Sequence, residues 1–114
     1  MTTTAITKPK SKASKNKTQA EKWLASIQRS AILLKQVSDP TRIQVISMLA
    51  DGERHVGSLS EDLNQSQPAV SHHLALLRHG GIISPRRQGK NNFYSLTETG
   101  KLLAEIIKKV NPST

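Results

Sequence analysis

The sequence predicts a mainly α-helical domain with a small β-hairpin, built from about five helices and two strands. Apolar residues make up 35% of the 114-residue chain but aromatic residues only 3%, so the core must be aliphatic. Apolar residues recur at spacings of three and four along most of the chain, which is typical of helices. The pattern changes after Gly80-Gly81, where short strand-like runs flank a turn.

The N-terminal segment, residues 1–19, is predicted to be a disordered basic arm, and residues 20–114 to form one domain. The arm is rich in Thr, Ser, Lys and Asn and has almost no apolar residue, so it cannot build a core. It could touch DNA phosphates or serve only as a solubilising tail. Its lysines, uninterrupted by any acid, are Lys8, Lys10, Lys12, Lys15 and Lys17.

The first two predicted helices meet at Asp39-Pro40. The first helix begins near Ala20 and carries an apolar stripe to Val37. A residue before proline avoids helical angles, so the helix ends there. Asp39 can then cap a second helix, from Thr41 to about Ala50, with Pro40 in its first turn.

Two further helices are predicted on either side of a tight turn at Asn64-Gln65. The third is short, with Ser58 as its N-cap and Glu61 completing a capping box. The fourth is capped by Ser66 and ends at His79, where the double glycine stops it. Two helices joined in this way are the parts of a DNA-binding helix-turn-helix.

The C-terminal part is predicted as a hairpin followed by a last helix. Strand-like runs at 82–84 and 92–96 flank a basic, turn-rich loop over 86–91. Thr97 can cap a final amphipathic helix over 98–110, in which Gly100 is an early weak point. A hairpin after a helix-turn-helix makes a wing, so the whole predicts a winged helix-turn-helix.

The fourth helix has one buried and one exposed face. At 100° per residue, Val70, Leu74 and Leu77 fall within about 60° of one another and form the buried stripe. Polar and small residues occupy the remaining arc, and several of them can bond base edges or phosphates. These residues are Gln67, Ser71, His72, Ala75, Arg78 and His79.

The charge distribution supports a nucleic-acid partner. The formal net charge is +9, and there is no Asp or Glu from Leu63 through Thr97. A solvated face without function would normally mix signs, whereas a face that meets DNA excludes acids. This acid-free stretch coincides with the predicted reading helix and wing.

Three separated motifs resemble the ArsR-type, or arsenic-repressor-like, winged-helix regulators. Residues 66–74, with Leu77-Arg78 and residues 81–83, are similar to that family's recognition helix. Residues 39–42, with Ile43 and Ile46, are similar to its preceding helix. Residues 87–90, with 94–96, are similar to its wing, and the resemblance covers about 34–103.

The resemblance implies a homodimer that represses transcription by binding double-stranded DNA at an inverted repeat. The expected DNA-binding residues are Thr41, Arg42, Ser66, Gln67, Ser71, His72, Arg78, Arg86, Arg87 and Lys90. The first and last helices would form the dimer interface, although part of each stripe can also pack on its own core. The interface residues are Trp23, Leu24, Ile27, Ala31, Leu102, Leu103, Ile106, Ile107 and Val110.

The sequence departs from the family at its sensing sites. Many members release DNA when a metal binds to cysteines near the third helix, but residues 55–60 have none and the chain has no Cys at all. A second family site uses Asp, His and Glu on the last helix, which here has Glu98 and Glu105 but no His. We therefore expect no metal, no cofactor and no thiol sensing; the effector is unknown.

Other functions remain as alternatives. A chromatin-type protein that binds nucleic acid without specificity needs only positive charge, and the neutral reading face argues against it. An interaction module that kept the fold but lost DNA binding would not need an acid-free face. The sequence has no glycine-rich phosphate-binding loop and no nucleophile motif, so it does not predict an enzyme. With no apolar run long enough to span a bilayer, a cytoplasmic protein without membrane contact is expected.

Overall fold

The structure, a computed structural model, describes residues 18–111 and has five helices and three strands. It divides into two units, of which the first ends at Lys35 and the second begins at Gln36. The elements are α1 (Gln19–Gln36), α2 (Pro40–Leu49), β1 (Arg54–His55), α3 (Val56–Leu63), α4 (Gln67–His79), β2 (Ile83–Gln88), β3 (Asn91–Leu96) and α5 (Glu98–Val110). The predicted class, helices with a β-hairpin, is confirmed. The lysines of the predicted arm lie outside the described residues.

The first unit contributes most of α1, an 18-residue helix without a buried residue. Trp23, Leu24 and Ile27 are 41%, 51% and 45% exposed. These residues of the predicted apolar stripe are therefore exposed, whereas Val37 at its end is buried. Among residues 18–111, no helix is long and apolar enough to cross a membrane.

The core of the second unit is aliphatic and comes from every helix after α1. The buried stripe of α4 is the predicted one, since Val70, Leu74 and Leu77 are at most 1% exposed. Packed aliphatic side chains of this kind supply most of the stability of a small domain. The other buried core residues are Val37, Val45, Ile46, Leu49, Leu59, Ile82, Ile83 and Leu103.

Three of the four predicted helix caps are confirmed. Asp39 accepts from the backbone N–H of Arg42 at 3.1 Å. Ser66 accepts from Ala69 N–H at 3.2 Å, and Thr97 from Gly100 N–H at 3.1 Å. Each satisfies a donor that the first helical turn leaves without a partner.

The predicted cap of α3 was wrong. The helix begins at Val56, and His55 caps it: its Nδ1 accepts from the N–H groups of Gly57 and Ser58 at 3.1 and 3.3 Å. Ser58 lies inside the helix, where its Oγ accepts from Arg54 Nε at 2.9 Å. A neutral imidazole nitrogen accepts hydrogen bonds as a hydroxyl oxygen does. The Ser-x-x-Glu pattern alone therefore did not identify the residue that caps α3.

The sheet has three antiparallel strands in the order β1-β3-β2, one more than predicted. Strand β1 has only two residues, too few to show a sequence period. The hairpin strands are also longer than predicted, because β2 continues to Gln88 and pairs it with Asn91. Arg86 and Arg87 thus lie on a strand and not in the loop, and the turn is Gly89-Lys90, where Gly89 takes a φ of 63°.

Candidate nucleic-acid interface

The turn between α3 and α4 is held by hydrogen bonds on both sides. Asn64 takes the left-handed conformation, φ 57° and ψ 45°, which Asn tolerates better than most residues. Gln65 N–H donates to Ser60 O at 3.2 Å, and Ser60 Oγ donates to Gln65 O at 2.5 Å. Gln65 Nε2 donates to Thr41 Oγ1 at 3.1 Å, so the turn is also tied to α2.

The outer face of α4 is open along its whole length. Its residues are those that the sequence placed on the exposed arc: Gln67, Ser71, His72, Ala75, Arg78 and His79, all exposed. Among residues 18–111, the Arg78 side chain makes no hydrogen bond or ion pair, and neither does that of Lys90. An exposed helix face with hydrogen-bonding groups and unpaired cations can meet base edges and phosphates.

A groove of about 570 Å³ runs beside this face, between α4 and β3. It is lined by Ser71, Ala75, Arg78 and His79 from α4 and by Tyr94 from β3, with Leu74 at its floor. Its lining therefore combines a guanidinium, an imidazole and hydroxyl groups. Sequence reasoning assigned no contact to Tyr94, because its strand was identified only as part of the wing.

Two of the expected DNA-binding residues are used inside the protein. Arg42 Nη1 donates to Gln36 O at 2.6 Å, and Arg42 Nε donates to His73 Nδ1 at 3.2 Å. Thr41 accepts from Gln65, as described above. The Arg42–His73 bond joins α2 to α4, and the Gln65–Thr41 bond joins α2 to the turn before α4. His73 is half-buried.

The carboxylate of Asp39 stands beside the same cluster. Its pKa lies below the ordinary aspartate value, first because the backbone N–H of Arg42 donates to it. The positive charge of Arg42 acts in the same direction. The capping bond and the ionised state of Asp39 therefore support each other.

The wing arginines differ sharply in their surroundings. Arg86 donates to both carboxylate oxygens of Glu53, through Nε at 2.9 Å and Nη2 at 2.8 Å. That pair lowers the pKa of Glu53 and raises that of Arg86. Arg87 makes one bond, from Nε to Gly89 O at 3.0 Å. The acid-free stretch is thus partly neutralised by an acid outside it, which sequence reasoning missed.

The apolar stripe of α5 divides between two faces. Leu103 is 5% exposed and belongs to the core, so it leaves the set of expected interface residues; Ile107 is half-buried. Leu102, Ile106 and Val110 are 62%, 46% and 77% exposed. Adjacent helical residues point about 100° apart, which is why Leu102 and Leu103 have different surroundings.

Comparison with known proteins identifies the family. The family described as "Bacterial regulatory protein, arsR family" matches residues 39–84. The transcriptional activator HlyU of Vibrio cholerae is 37% identical over 83 residues, which cover 72% of this chain and 77% of that protein. The chain belongs to the ArsR family.

Two further relatives bear on the fold and the class of function. The transcriptional repressor SdpR of Bacillus subtilis is 39% identical over 67 residues, covering 59% of this chain and 74% of that protein. A homodimeric winged helix-turn-helix DNA-binding domain from Mycobacterium bovis, a possible ArsR-family regulator, superposes with a TM-score of 0.72 at 25% identity. It covers 84% of this chain and 87% of that one.

This ArsR-family protein shows no metal cluster in the part of its chain that the structure describes. Between residues 18 and 111, no three His, Asp or Glu side chains lie close enough together to hold an ion. The four histidines do not form one cluster. His55 caps α3, His73 accepts from Arg42, and His72 and His79 are exposed on α4. The rings of His72 and His73 meet edge to face, with centroids 6.0 Å apart.

Proposed function

We propose that this protein is a sequence-specific DNA-binding regulator that represses transcription as a homodimer on an inverted repeat. The observation that carries the proposal is the outer face of α4. It is exposed along its length, contains no acid, and presents neutral hydrogen-bonding groups at its N-terminal end and a free arginine at its C-terminal end. A recognition helix reads bases mainly with its N-terminal residues.

Base contacts are assigned to the first turns of α4. Gln67 can bond an adenine edge through both its amide oxygen and its amide nitrogen, and Ser71 can donate or accept. His72 can donate to a guanine acceptor or to a phosphate. Ala75 is small, so the helix can lie deep in the major groove. Ser66 contributes as the cap that fixes the start of this helix.

Phosphate contacts are assigned to cations that have few or no partners within the protein. Arg78 borders the groove beside α4, Lys90 forms the tip of the wing, and Arg87 keeps its terminal nitrogens free for DNA. Such contacts fix orientation and give affinity that falls with salt. Arg42 supports α4 through its bond to His73, and Thr41 supports the turn before α4 through its bond to Gln65.

The dimer is proposed to use the exposed apolar face of α5 and, separately, that of α1. Leu102, Ile106 and Val110 form an exposed apolar face on α5. An exposed apolar face of this kind marks a surface that a partner covers. Trp23, Leu24, Ile27 and Ala31 make a similar open stripe on α1. The homodimeric state of the Mycobacterium bovis domain supports this assignment.

Repression is the simplest outcome of a dimer seated on a promoter. The relative SdpR is a transcriptional repressor, which supports repression, whereas the relative HlyU is a transcriptional activator. A reporter gene that carries the bound site therefore tests whether this protein represses or activates transcription. A repressor lowers expression from that reporter. A rise in expression would contradict repression but not DNA binding.

Selection of bound duplexes from a random DNA pool tests the proposal as a whole. The expected result is enrichment of an inverted repeat whose half-sites lie about one helical turn apart. A pool that stays random would favour the second candidate, a non-specific nucleic-acid binder of the chromatin type.

A further inference from the structure

Arg86 lies in a row of side chains that crosses the sheet from the wing to the helix-turn-helix. In the strand register Arg86 pairs with Phe93, and Phe93 pairs with His55. The Arg86 guanidinium lies over the Phe93 ring, 5.4 Å from its centre. The Phe93 and His55 rings meet edge to face, with centroids 5.4 Å apart at 84°.

Each end of this row is fixed. At the wing end, Glu53 holds Arg86 with two parallel hydrogen bonds, the strongest arrangement between these two groups. At the other end, His55 caps α3 and so closes the first turn of the helix-turn-helix. A Cβ on Gly57 would lie 3.0 Å from the His55 ring, so the ring is tightly placed.

These contacts leave Arg86 poorly placed to bind phosphate. Its Nε and Nη2 donate to Glu53, and one face of its guanidinium covers Phe93. Turning toward DNA would break both contacts and leave the Glu53 carboxylate unpaired beside a polyanion. Its neighbour Arg87 has no carboxylate partner among the described residues, and it is also exposed at the wing.

We infer that Glu53 and Arg86 are positioning residues for DNA binding: their ion pair, through Phe93 and His55, sets the wing relative to α3 and α4, and Arg86 does not bind phosphate. The inference rests on the proposed function. A site that uses two elements at once needs a supporting set of side chains to hold both in place. Arg86 therefore supports the residues that contact DNA and is not itself one of them.

Charge-conserving variants separate the two roles of Arg86. Lysine also binds phosphate, but it cannot make the two-bond, stacked contact with Glu53 and Phe93. Arg86→Lys and Glu53→Asp are each expected to lower affinity for the selected duplex about five-fold, a factor suited to an exposed ion pair. Arg29→Lys, the matched control, changes an exposed arginine of α1 that lies outside the contacts proposed for DNA, so its affinity is expected to stay within about two-fold of wild type.

The salt dependence of binding gives a readout that a loss of structure alone would not reproduce. Each lost phosphate contact reduces the slope of log affinity against log salt by about 0.9. Arg87→Gln is expected to show that reduction, and Arg86→Gln is expected to keep the wild-type slope. Thermal unfolding of each variant checks that it is folded at the temperature of the binding measurement.

The side-chain N–H signals of the two arginines test the same point by NMR in the full chain. On addition of the selected duplex, the Arg87 Nε signal is expected to shift and the Arg86 Nε signal to stay. Wild-type affinity in Arg86→Lys, a reduced slope in Arg86→Gln, or an Arg86 signal that shifts with DNA would each overturn the positioning role. Absence of any selected duplex would instead overturn the proposed function, and the positioning role with it.

Discussion

A Cβ on Gly100 would lie 2.2 Å from the carbonyl oxygen of Ile82. That oxygen already accepts from the backbone N–H of Thr97, the residue that caps α5, at 3.0 Å. It cannot withdraw without losing this bond. Glycine therefore lets α5 pack directly against the chain that leads from α4 into β2.

Gly100→Ala is expected to destabilise the protein although alanine favours helices. The clash with backbone costs more than the about 1 kcal/mol gained in helix propensity, so we expect a net loss of about 1–3 kcal/mol in the free energy of unfolding. Urea denaturation measures it. Glu105→Ala, at an exposed position of the same helix, serves as control; equal stability of both variants would refute the close packing.

The His55 cap predicts a difference between two substitutions. His55→Ala removes the acceptor for Gly57 and Ser58, so the free energy of unfolding should fall by about 1 kcal/mol. His55→Asn keeps a good N-cap acceptor and should recover most of that loss. If asparagine proved no better than alanine in urea denaturation, the ring would act through Phe93 alone.

The Glu53–Arg86 pair predicts a particular pH dependence. Arg86 lowers the pKa of Glu53 in the folded protein, so ionised Glu53 stabilises the fold. This stabilisation is fully present above the ordinary glutamate pKa of about 4.3 and is lost as pH falls through the lowered folded value. The stability difference between wild type and Glu53→Gln should be constant from about pH 6 to 8 and shrink only in that acid range. A difference that already declines near neutral pH would contradict the pairing.

The dimer proposal predicts that a charge on the open face of α5 yields monomers. Ile106→Glu places a carboxylate where the second copy would cover an apolar side chain, which burial strongly disfavours. Sedimentation at micromolar concentration should show a dimer for wild type and a monomer for this variant. Lys101→Glu, exposed on the same helix, should remain dimeric. A wild-type monomer would contradict the assignment.

Local signals in the sequence accounted for most of the fold. Asp39, Ser66 and Thr97 cap helices through residues three positions away, and the faces of α4 follow from its period. Contacts between distant segments carried no such signal. Glu53 and Arg86 are 33 residues apart, and Leu103 differs from Leu102 only through how α5 packs.

The residues expected to contact DNA also fall into a predictable and an unpredictable group. The exposed positions on α4 could be predicted from the helix period. The internal roles of Arg42 and Arg86 could not, because a basic side chain in a sequence gives no sign of the carboxylate or carbonyl that holds it.

The most direct measurement of the central claim compares two duplexes at moderate salt. Affinity is measured for the selected inverted repeat and for the same bases in scrambled order, with wild type and with Gln67→Ala. Wild type should prefer the selected duplex by about 10³-fold or more. Gln67→Ala should reduce that preference by about 1–3 kcal/mol and leave the affinity for the scrambled duplex unchanged. Equal wild-type affinity for the two duplexes would contradict sequence-specific recognition by α4.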